Sequence, residues 1–256
     1  MQRTHQIHPE IREVSLETVN EIIKSSKKLD SSYLFLHIPK TGGSSFMDYI
    51  SSNQELLAKV PTPLFHTWTL KLALQYLPSS KIICFLRDPL ERTISGYQSR
   101  SRMGLPKYRV PWRPAEASAF ALFPTIIDFL SALSKSDERS LAAVTFAMQS
   151  IMAVRWNYEY YFESAKNVKK ASNSLIVYRL EDAHIAINNL IEKNIICPGS
   201  SSLDLKEIAY PRSHASSVKS SSYLERFSHL EINEMKSKLD KEYEIYNELL
   251  NICCIP

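Results

Sequence analysis

The 256-residue chain is poor in glycine and cysteine, and it lacks the long apolar runs of a membrane protein. No window approaches the roughly 18 apolar residues of a membrane-spanning helix. The first thirty residues mix charges throughout and lack the apolar centre of a signal peptide. No two of the four cysteines have C-x-x-C spacing, which disfavours a disulfide framework or a zinc knuckle. These absences predict a cytoplasmic protein with free thiols and no transmembrane segment.

An excess of charge of one sign is also nearly absent. The formal net charge is +4, which is too small to indicate a nucleic-acid partner. One segment departs from this balance, because residues 98–113, QSRSRMGLPKYRVPWR, carry five cations and no acid. Such a segment is typical either of an anion-binding surface or of an ordinary solvated loop.

Three apolar runs alternate with helical patterns along the chain: YLFLHI at 33–38, KIICFL at 81–86 and SLIVYRL at 174–180. Runs that stay apolar without alternation are typical of strands buried on both faces. Strands that alternate with helices predict an α/β fold with a mostly parallel central sheet flanked by helices.

Helical spacing also occurs outside this alternation. Residues 11–29 place apolar side chains among charges, so we expect an N-terminal helical extension over residues 1–32. A single domain is then expected over residues 33–256. Within it, two longer helical patterns cover residues 138–170 and 228–251.

An anion-binding loop is predicted where the first strand ends, in HIPKTGGSSF. The glycines let the backbone approach a ligand, and the serines begin a helix whose free N–H groups and dipole favour an anion. A turn that uses glycine for geometry alone is the alternative, but three of only five glycines lie in this motif and the next. The candidate ligand-binding residues are Lys40, Thr41, Gly42, Gly43, Ser44 and Ser45.

The second motif, RDPLERTISGY, follows the second predicted strand. If a helix begins after an Asp88 cap, Arg87 at the strand end and Ser95 two turns into the helix both reach the sheet edge of the first loop. A cation and a hydroxyl could hold a second phosphate there. Capping, dipole compensation and a local ion pair explain Asp88, Glu91 and Arg92.

Together the motifs resemble the two cofactor-binding signatures of sulfotransferases that use 3′-phosphoadenosine-5′-phosphosulfate (PAPS). The resemblance is to the branch of heparan sulfate 2-O- and other carbohydrate sulfotransferases and their bacterial relatives. It is close over residues 33–100 and faint at LIVYRLED and DKEYEIYNELL. It implies a P-loop NTPase-like sulfotransferase fold. In the family the first signature binds the 5′-phosphosulfate, and the second binds the 3′-phosphate through residues that match Arg87 and Ser95.

The resemblance also implies catalytic roles. Lys40 would stabilise the charge on the departing nucleotide. His66, in TPLFHTW, matches the family's catalytic histidine between the signatures and would act as general base, although a hydrogen-bonded histidine at a loop edge is the alternative. His37 is expected to be a packed residue. Arg212 and Ser213, in YPRSHASS, stand where the family's late loop closes over the nucleotide.

PAPS is therefore the expected co-substrate, and a hydroxyl compound, expected to be a glycan, is the acceptor. The basic segment 98–113 could contact carboxylates or sulfates of an acidic glycan, and Tyr108 and Trp112 could stack on sugar rings or an adenine. No metal is expected, because the transferred group bears one negative charge and no metal-ligand cluster occurs in the sequence. If an anchor has been removed from the chain, the Golgi lumen replaces the cytoplasm as the expected compartment.

Two other functions remain open at the level of sequence. A P-loop kinase or NTPase would explain a phosphate-binding loop, but the motif G-x-x-x-x-G-K-[ST] and a Mg²⁺-binding Asp are missing. A non-catalytic module that binds a nucleotide or a glycan would keep the same loop without transferring any group.

Overall fold

The structure is a computed structural model that describes residues 33–52, 57–64, 66–106, 109–198 and 220–253. The predicted extension over residues 1–32 lies outside the described residues, as do Arg212 and Ser213.

The strands are β1 (Tyr33–Leu36), β2 (Leu57–Lys59), β3 (Thr62–Leu64), β4 (Lys81–Leu86), β5 (Leu175–Arg179) and β6 (Cys197–Pro198). The first seven α-helices among the described residues are α1 (Gly43–Ser52), α2 (Leu70–Tyr76), α3 (Pro89–Ser101), α4 (Pro114–Leu122), α5 (Ile126–Leu133), α6 (Glu138–Ser150) and α7 (Met152–Arg155). The remaining described helices are α8 (Tyr158–Phe162), α9 (Ala165–Ala171), α10 (Ala183–Glu192), α11 (Ser220–Leu224), α12 (His229–Ser237) and α13 (Asp240–Leu250).

Four strands form one parallel sheet in the order β3-β1-β4-β5. Leu34 of β1 pairs with Thr62 on one side and with Ile82 on the other, and Ile83 of β4 pairs with Ile176 of β5. Strands β2 and β6 form a separate antiparallel pair. The described residues thus form a single α/β domain around a parallel sheet, which confirms the predicted fold class. The P-loop-like subtype stays a prediction.

The sheet has a topological switch point between β1 and β4. From β1 the chain passes through α1 to β3 on one side, and it returns through α2 to β4 on the other side. The segments that follow β1 and β4 therefore diverge and leave a crevice outside the carboxyl ends of these two strands. Open parallel sheets bind ligands in such a crevice. Both predicted motifs follow these two strands.

Side chains of the sheet are buried on both faces, as the unbroken apolar runs predict. Phe35 and Phe85 pack with α1 and α10, whereas the alternate positions Leu34 and Cys84 pack with α2, α8, α9 and α13. This alternation follows from the two-residue period of a strand. A separate hydrophobic cluster lies beside the sheet and contains buried side chains of α3, α4, α5, α6 and α12.

The two long helical patterns are interrupted by capped breaks. Residues 138–170 contain four helices, and the side chains of Asn157 and Ser164 accept backbone N–H groups at the starts of α8 and α9. Residues 228–251 contain α12 and α13, and Ser228 forms a capping box at the start of α12. Asparagine and serine compete with the helix for backbone hydrogen bonds, so they favour new helix starts.

A buried ion pair connects α3 to the C-terminal helix α13. Arg92 Nη2 lies 3.1 Å from Glu242 Oε2, and both side chains are almost fully buried. The Arg92 guanidinium also donates to the backbone carbonyls of Ala153, Val154 and Trp156. Arg92 therefore holds together segments distant in sequence, and the expectation of a local ion pair at this position is wrong.

Asp88 has the local role that the sequence predicts. Its carboxylate caps α3 by accepting from the Glu91 N–H at 3.0 Å, and it also accepts from the Tyr243 hydroxyl at 2.9 Å. The second contact adds another link between α3 and α13.

No single helix in the described ranges has both the length and the apolar character needed to cross a membrane. Helices α4 and α5, which meet at a bend of 79°, together have the length and the apolar composition of a membrane span.

Candidate functional site at the carboxyl edge of the sheet

The loop after β1 has an unusual backbone conformation. Lys40 (φ 69°) and Gly42 (φ 93°) both adopt left-handed conformations. Such a conformation is rare for a residue other than glycine and is often found at functional sites. The Thr41 hydroxyl, which is buried, donates to the Ile38 carbonyl at 3.0 Å. This hydrogen bond stabilises the loop, and the Thr41 hydroxyl proton is therefore not available for donation to a ligand.

Gly43 is required by a neighbouring side chain. A Cβ atom at this position would lie 2.2 Å from Cδ2 and 2.7 Å from Nε2 of His37. Any other residue at position 43 would displace the His37 ring. From the sequence this glycine is expected to allow close approach of a ligand, whereas in the structure it allows close approach of His37.

Lys40 lies in a region of convergent positive charge. Burial, together with the positive charges of Arg87 and Arg102, lowers the pKa of its ammonium to about 8. A bound anion would relieve this repulsion and raise the pKa again, so that the ammonium form is stabilised further. Arg102 belongs to the basic segment, and its influence on Lys40 connects that segment with the anion loop.

Arg87 is held in place at the end of β4. Its backbone N–H donates to the Tyr158 hydroxyl at 2.9 Å, and that hydroxyl donates to the Arg87 carbonyl at 2.7 Å. The guanidinium donates to Glu91 Oε2 from Nε at 3.3 Å and from Nη2 at 3.2 Å, and Nη2 also donates to Ser220 Oγ at 3.0 Å. Ser95, the predicted partner of Arg87, is half-buried in the second turn of α3.

His37 and His66 are in direct contact at the centre of the site. Nδ1 of His66 lies 2.8 Å from the backbone carbonyl of His37, and the ring centroids are 4.2 Å apart. A carbonyl only accepts hydrogen bonds, so Nδ1 carries the proton and Nε2 is the basic nitrogen. Trp156 also stacks on the His66 ring, with centroids 5.6 Å apart, and Tyr161 donates to the His66 carbonyl at 2.9 Å.

The environment keeps the imidazole of His66 neutral. Burial lowers its pKa below the usual 6.5, and the charge of Lys40 adds to this effect. The hydrogen bond to the His37 carbonyl opposes both. A neutral histidine with one free basic nitrogen is suited to remove a proton at neutral pH. Lys40 is thus close enough to act on His66 through its charge.

A cavity of about 390 Å³ lies beside the anion loop. It is lined by His37, Ser44, Met47, Asp48, Pro63, Leu64 and His66. Of the predicted loop residues, Ser44 reaches this cavity, whereas Ser45 is buried.

Met47, Asp48, Pro63 and Leu64 were missed by the sequence-based argument. Met47 and Asp48 follow Ser44 by three and four positions, so helical spacing alone places them on its face of α1. Pro63 and Leu64 carry no comparable signal, because their place depends on the pairing of β3 with β1.

The basic segment does not act as one surface. Arg100 is buried and forms a bidentate ion pair with Glu116, at 2.7 Å for each bond. Trp112 donates to the Arg100 carbonyl at 2.6 Å and stacks on Phe120, so it is a packed residue in this structure. Two more cations, at 109 and 113, are exposed, and residues 107 and 108 lie outside the described residues.

The part of the chain that the structure describes contains no group of His, Cys, Asp or Glu side chains that could hold a metal ion. No protein-family model, curated protein or solved structure matches this chain. The resemblance to PAPS-dependent sulfotransferases therefore rests on the two sequence motifs.

Proposed function

We propose that the protein is a sulfotransferase that moves a sulfuryl group from PAPS to a hydroxyl acceptor. One observation carries the proposal: a tight loop at the switch point of the sheet brings a cation, Lys40, next to a neutral histidine, His66, beside a cavity. A sulfuryl transfer needs positive charge at the departing phosphate and a base at the attacking hydroxyl.

The donor would lie across the crevice between the segments that follow β1 and β4. The loop N–H groups and Lys40 would bind the 5′-phosphosulfate, and Arg87 and Ser95 would bind the 3′-phosphate. Ser220, which already contacts Arg87, is a further candidate for the same phosphate. Arg212 and Ser213 remain proposed contacts from the resemblance alone.

The proposed step is a single in-line displacement. The acceptor oxygen forms a bond to sulfur while the bond from sulfur to the bridging phosphate oxygen breaks. Nε2 of His66 takes the hydroxyl proton, and the Lys40 ammonium neutralises the charge that develops on the departing oxygen. The products are the sulfated acceptor and 3′,5′-adenosine bisphosphate.

The donor assignment is tested by nucleotide binding to the purified protein. Isothermal titration calorimetry compares 3′,5′-adenosine bisphosphate with adenosine 5′-phosphate for the wild type, Arg87→Ala and the exposed control Arg113→Ala. We expect the 3′-phosphate to strengthen binding in the wild type and the control, and Arg87→Ala to abolish that advantage. An equal loss of affinity for both nucleotides in Arg87→Ala would contradict the assignment.

The reaction is tested with radiolabelled sulfate donor and a panel of sugars, glycans, lipids and phenols. Label in a product supports the proposal. Nucleotide binding without transfer to any acceptor would favour the non-catalytic module, and preference for ATP with Mg²⁺ over the bisphosphate would favour the kinase or NTPase.

A further inference from the structure

Helix α8 (Tyr158–Phe162) carries two buried tyrosines whose hydroxyl groups contact the two halves of the site. The Tyr158 hydroxyl accepts from the Arg87 backbone N–H at 2.9 Å and donates to the Arg87 carbonyl at 2.7 Å. The Tyr161 hydroxyl donates to the His66 carbonyl at 2.9 Å and lies 3.5 Å from the His37 carbonyl. Both tyrosines are 0% exposed. One turn of helix therefore connects the proposed phosphate ligand with the proposed base.

The contact of Tyr161 reaches the His66 ring through the backbone. The His37 carbonyl, 3.5 Å from the Tyr161 hydroxyl, is the same carbonyl that accepts the hydrogen bond from His66 Nδ1 at 2.8 Å. Tyr161 thus contacts both the backbone that carries the imidazole and the group that fixes its tautomer. Trp156, two residues before α8, adds a stacking contact to the ring itself, with centroids 5.6 Å apart.

Helix α8 is anchored in turn by the buried ion pair of Arg92 and Glu242. The Arg92 guanidinium donates to three backbone carbonyls of residues 153–156, and Glu242 Oε2 accepts from the Tyr158 N–H at 3.4 Å. A Cβ atom at Gly96 would lie 3.0 Å from a carbonyl oxygen of the same segment, so this segment packs closely on α3. Displacement of the segment would break hydrogen bonds of buried charged groups, which is costly. The ion pair therefore fixes the start of α8.

The proposed reaction needs a fixed separation between Arg87 and His66. The 3′-phosphate and the sulfur atom of PAPS belong to one molecule, so covalent structure limits the distance between them. A contact that holds the 3′-phosphate therefore places the sulfur atom, and the base must lie beside the hydroxyl that attacks it. An error of about 1 Å in such an arrangement can cost about 10²-fold in rate. A single element that contacts both residues meets this requirement.

We propose that α8 is the positioning element of the site. Tyr161, together with Trp156, positions the base His66. Tyr158 positions Arg87, the proposed ligand of the 3′-phosphate. These roles presuppose the proposed sulfotransferase function and add three residues to it. Neither tyrosine is among the described residues that line the cavity, and both hydroxyls contact backbone groups, so each acts on the reaction through the residue that it holds.

Phenylalanine variants of the two tyrosines should separate the two roles. With an acceptor that takes up label, Tyr161→Phe should lower the single-turnover rate by about tenfold to a hundredfold, because the base is misplaced. Its affinity for 3′,5′-adenosine bisphosphate should stay unchanged. Tyr158→Phe should instead reduce the binding advantage of the bisphosphate over adenosine 5′-phosphate by about fivefold, with a single-turnover rate at saturating donor close to that of the wild type.

Tyr160→Phe, the same substitution on the same helix, is the matched control and should change neither quantity. Thermal melting verifies that each variant is folded. If Tyr158→Phe and Tyr161→Phe change the rate and the nucleotide preference alike, α8 has a merely structural role and the positioning roles are overturned.

Trp156 provides a second variant in case the loss of a buried hydroxyl prevents folding. Its side chain is only partly buried, so its replacement disturbs the core less. Trp156→Leu should lower the single-turnover rate without changing nucleotide affinity, whereas Trp156→Phe, which keeps an aromatic ring against His66, should retain most of the rate. A wild-type rate in Trp156→Leu would contradict the positioning of His66 by this segment.

The Nδ1 proton of His66 gives a readout that does not require the reaction. Its NMR signal, assigned by its loss in His66→Ala, should shift in Tyr161→Phe and stay unchanged in Tyr158→Phe and Tyr160→Phe. An unchanged signal in folded Tyr161→Phe would reject the positioning of His66 by Tyr161, even in a protein that transfers sulfate. Absence of label transfer from the wild type to every acceptor of the panel would reject the proposed function instead.

Discussion

At the residue scale, the site depends on two groups whose pKa values are displaced in the same direction for a shared reason. Burial disfavours the charged forms of both His66 and Lys40, and each lies in the field of other positive charge. The displacement leaves His66 neutral and Lys40 charged at neutral pH. A neutral base and a charged ammonium are therefore both present at neutral pH, as the proposed step requires.

The first prediction concerns pH dependence. The proposed mechanism requires neutral His66, so kcat/KM should rise with pH through a pKa below 6.5. The same mechanism requires charged Lys40, so kcat/KM should fall as pH rises through about 8. In Lys40→Arg the alkaline fall should disappear, because a guanidinium stays protonated. Initial rates between pH 5 and 10 measure this, and an unaltered alkaline limb in a folded, active Lys40→Arg would contradict the role of Lys40.

A second prediction tests the base itself. His66→Ala should lower kcat by about 10²- to 10⁴-fold, because the acceptor proton has no local base in the transition state. Binding of 3′,5′-adenosine bisphosphate should change little. Single-turnover rates and calorimetry check the two expectations, with His184→Ala on α10 as the control. A wild-type rate in His66→Ala would make His37 the next candidate.

The candidate site is predictable from sequence only where residues follow one another along the chain. Lys40 and Arg87 stand at the carboxyl ends of apolar runs, so the parallel-sheet pattern alone brings them to one edge. The partners Ser220 and Trp156 come from distant segments, and no local pattern indicates them. Their places depend on tertiary packing, which a single sequence does not reveal.

At the element scale, the apolar runs predict β1, β4 and β5 well, whereas β2, β3 and β6 carry no such run and are missed, and the helix boundaries are predicted less well. β4 was expected over residues 81–86 and has those bounds, because its apolar run is flanked by Lys81 and Arg87. The long pattern over residues 138–170 was not one helix, because apolar spacing continues through the caps at Asn157 and Ser164. A polar residue followed by a new apolar stretch was the signal for these breaks.

The third prediction concerns the buried ion pair between α3 and α13. Glu242→Leu should lower the free energy of unfolding by about 3–5 kcal/mol, because it leaves the Arg92 charge buried without its partner. Glu244→Ala, exposed on the same helix, should change it by less than about 0.5 kcal/mol. Urea denaturation measures both changes.

The double variant Arg92→Met/Glu242→Leu provides the control for this mechanism. If the loss in Glu242→Leu arises from an unpaired buried charge, removal of both charges should recover much of the stability. A double variant as unstable as the sum of the two single variants would show that lost packing, and not the charge, is responsible.

At the scale of the whole molecule, the site joins the start and the end of the domain. The loop after β1 supplies Lys40, β4 ends at Arg87, and α11 brings Ser220 to the same guanidinium. A ligand that binds across these segments should stabilise the folded chain as a unit. The sequence could not show this, because Ser220 lies 133 positions from Arg87.

The fourth prediction follows from this arrangement. At a concentration of 100 times its Kd, 3′,5′-adenosine bisphosphate should raise the free energy of unfolding by about 2.7 kcal/mol. Adenosine 5′-phosphate at the same concentration should raise it less, because it lacks the group proposed to contact Arg87. Urea denaturation with each nucleotide measures the difference, and equal stabilisation by both would argue against a 3′-phosphate site at Arg87.

The contacts of Arg87 with Glu91 and Ser220 also affect the entropy of binding. A free arginine side chain loses about 2 kcal/mol of rotamer entropy when it is ordered, whereas a partly exposed ion pair contributes about 0–1 kcal/mol. The Arg87 side chain is 17% exposed and that of Glu91 is 35% exposed, so this pair belongs to the weaker class. That net value already includes the cost of holding both side chains in one geometry. Glu91 and Ser220 therefore order the guanidinium before any ligand arrives, and an incoming anion replaces a weak contact without having to immobilise a mobile side chain.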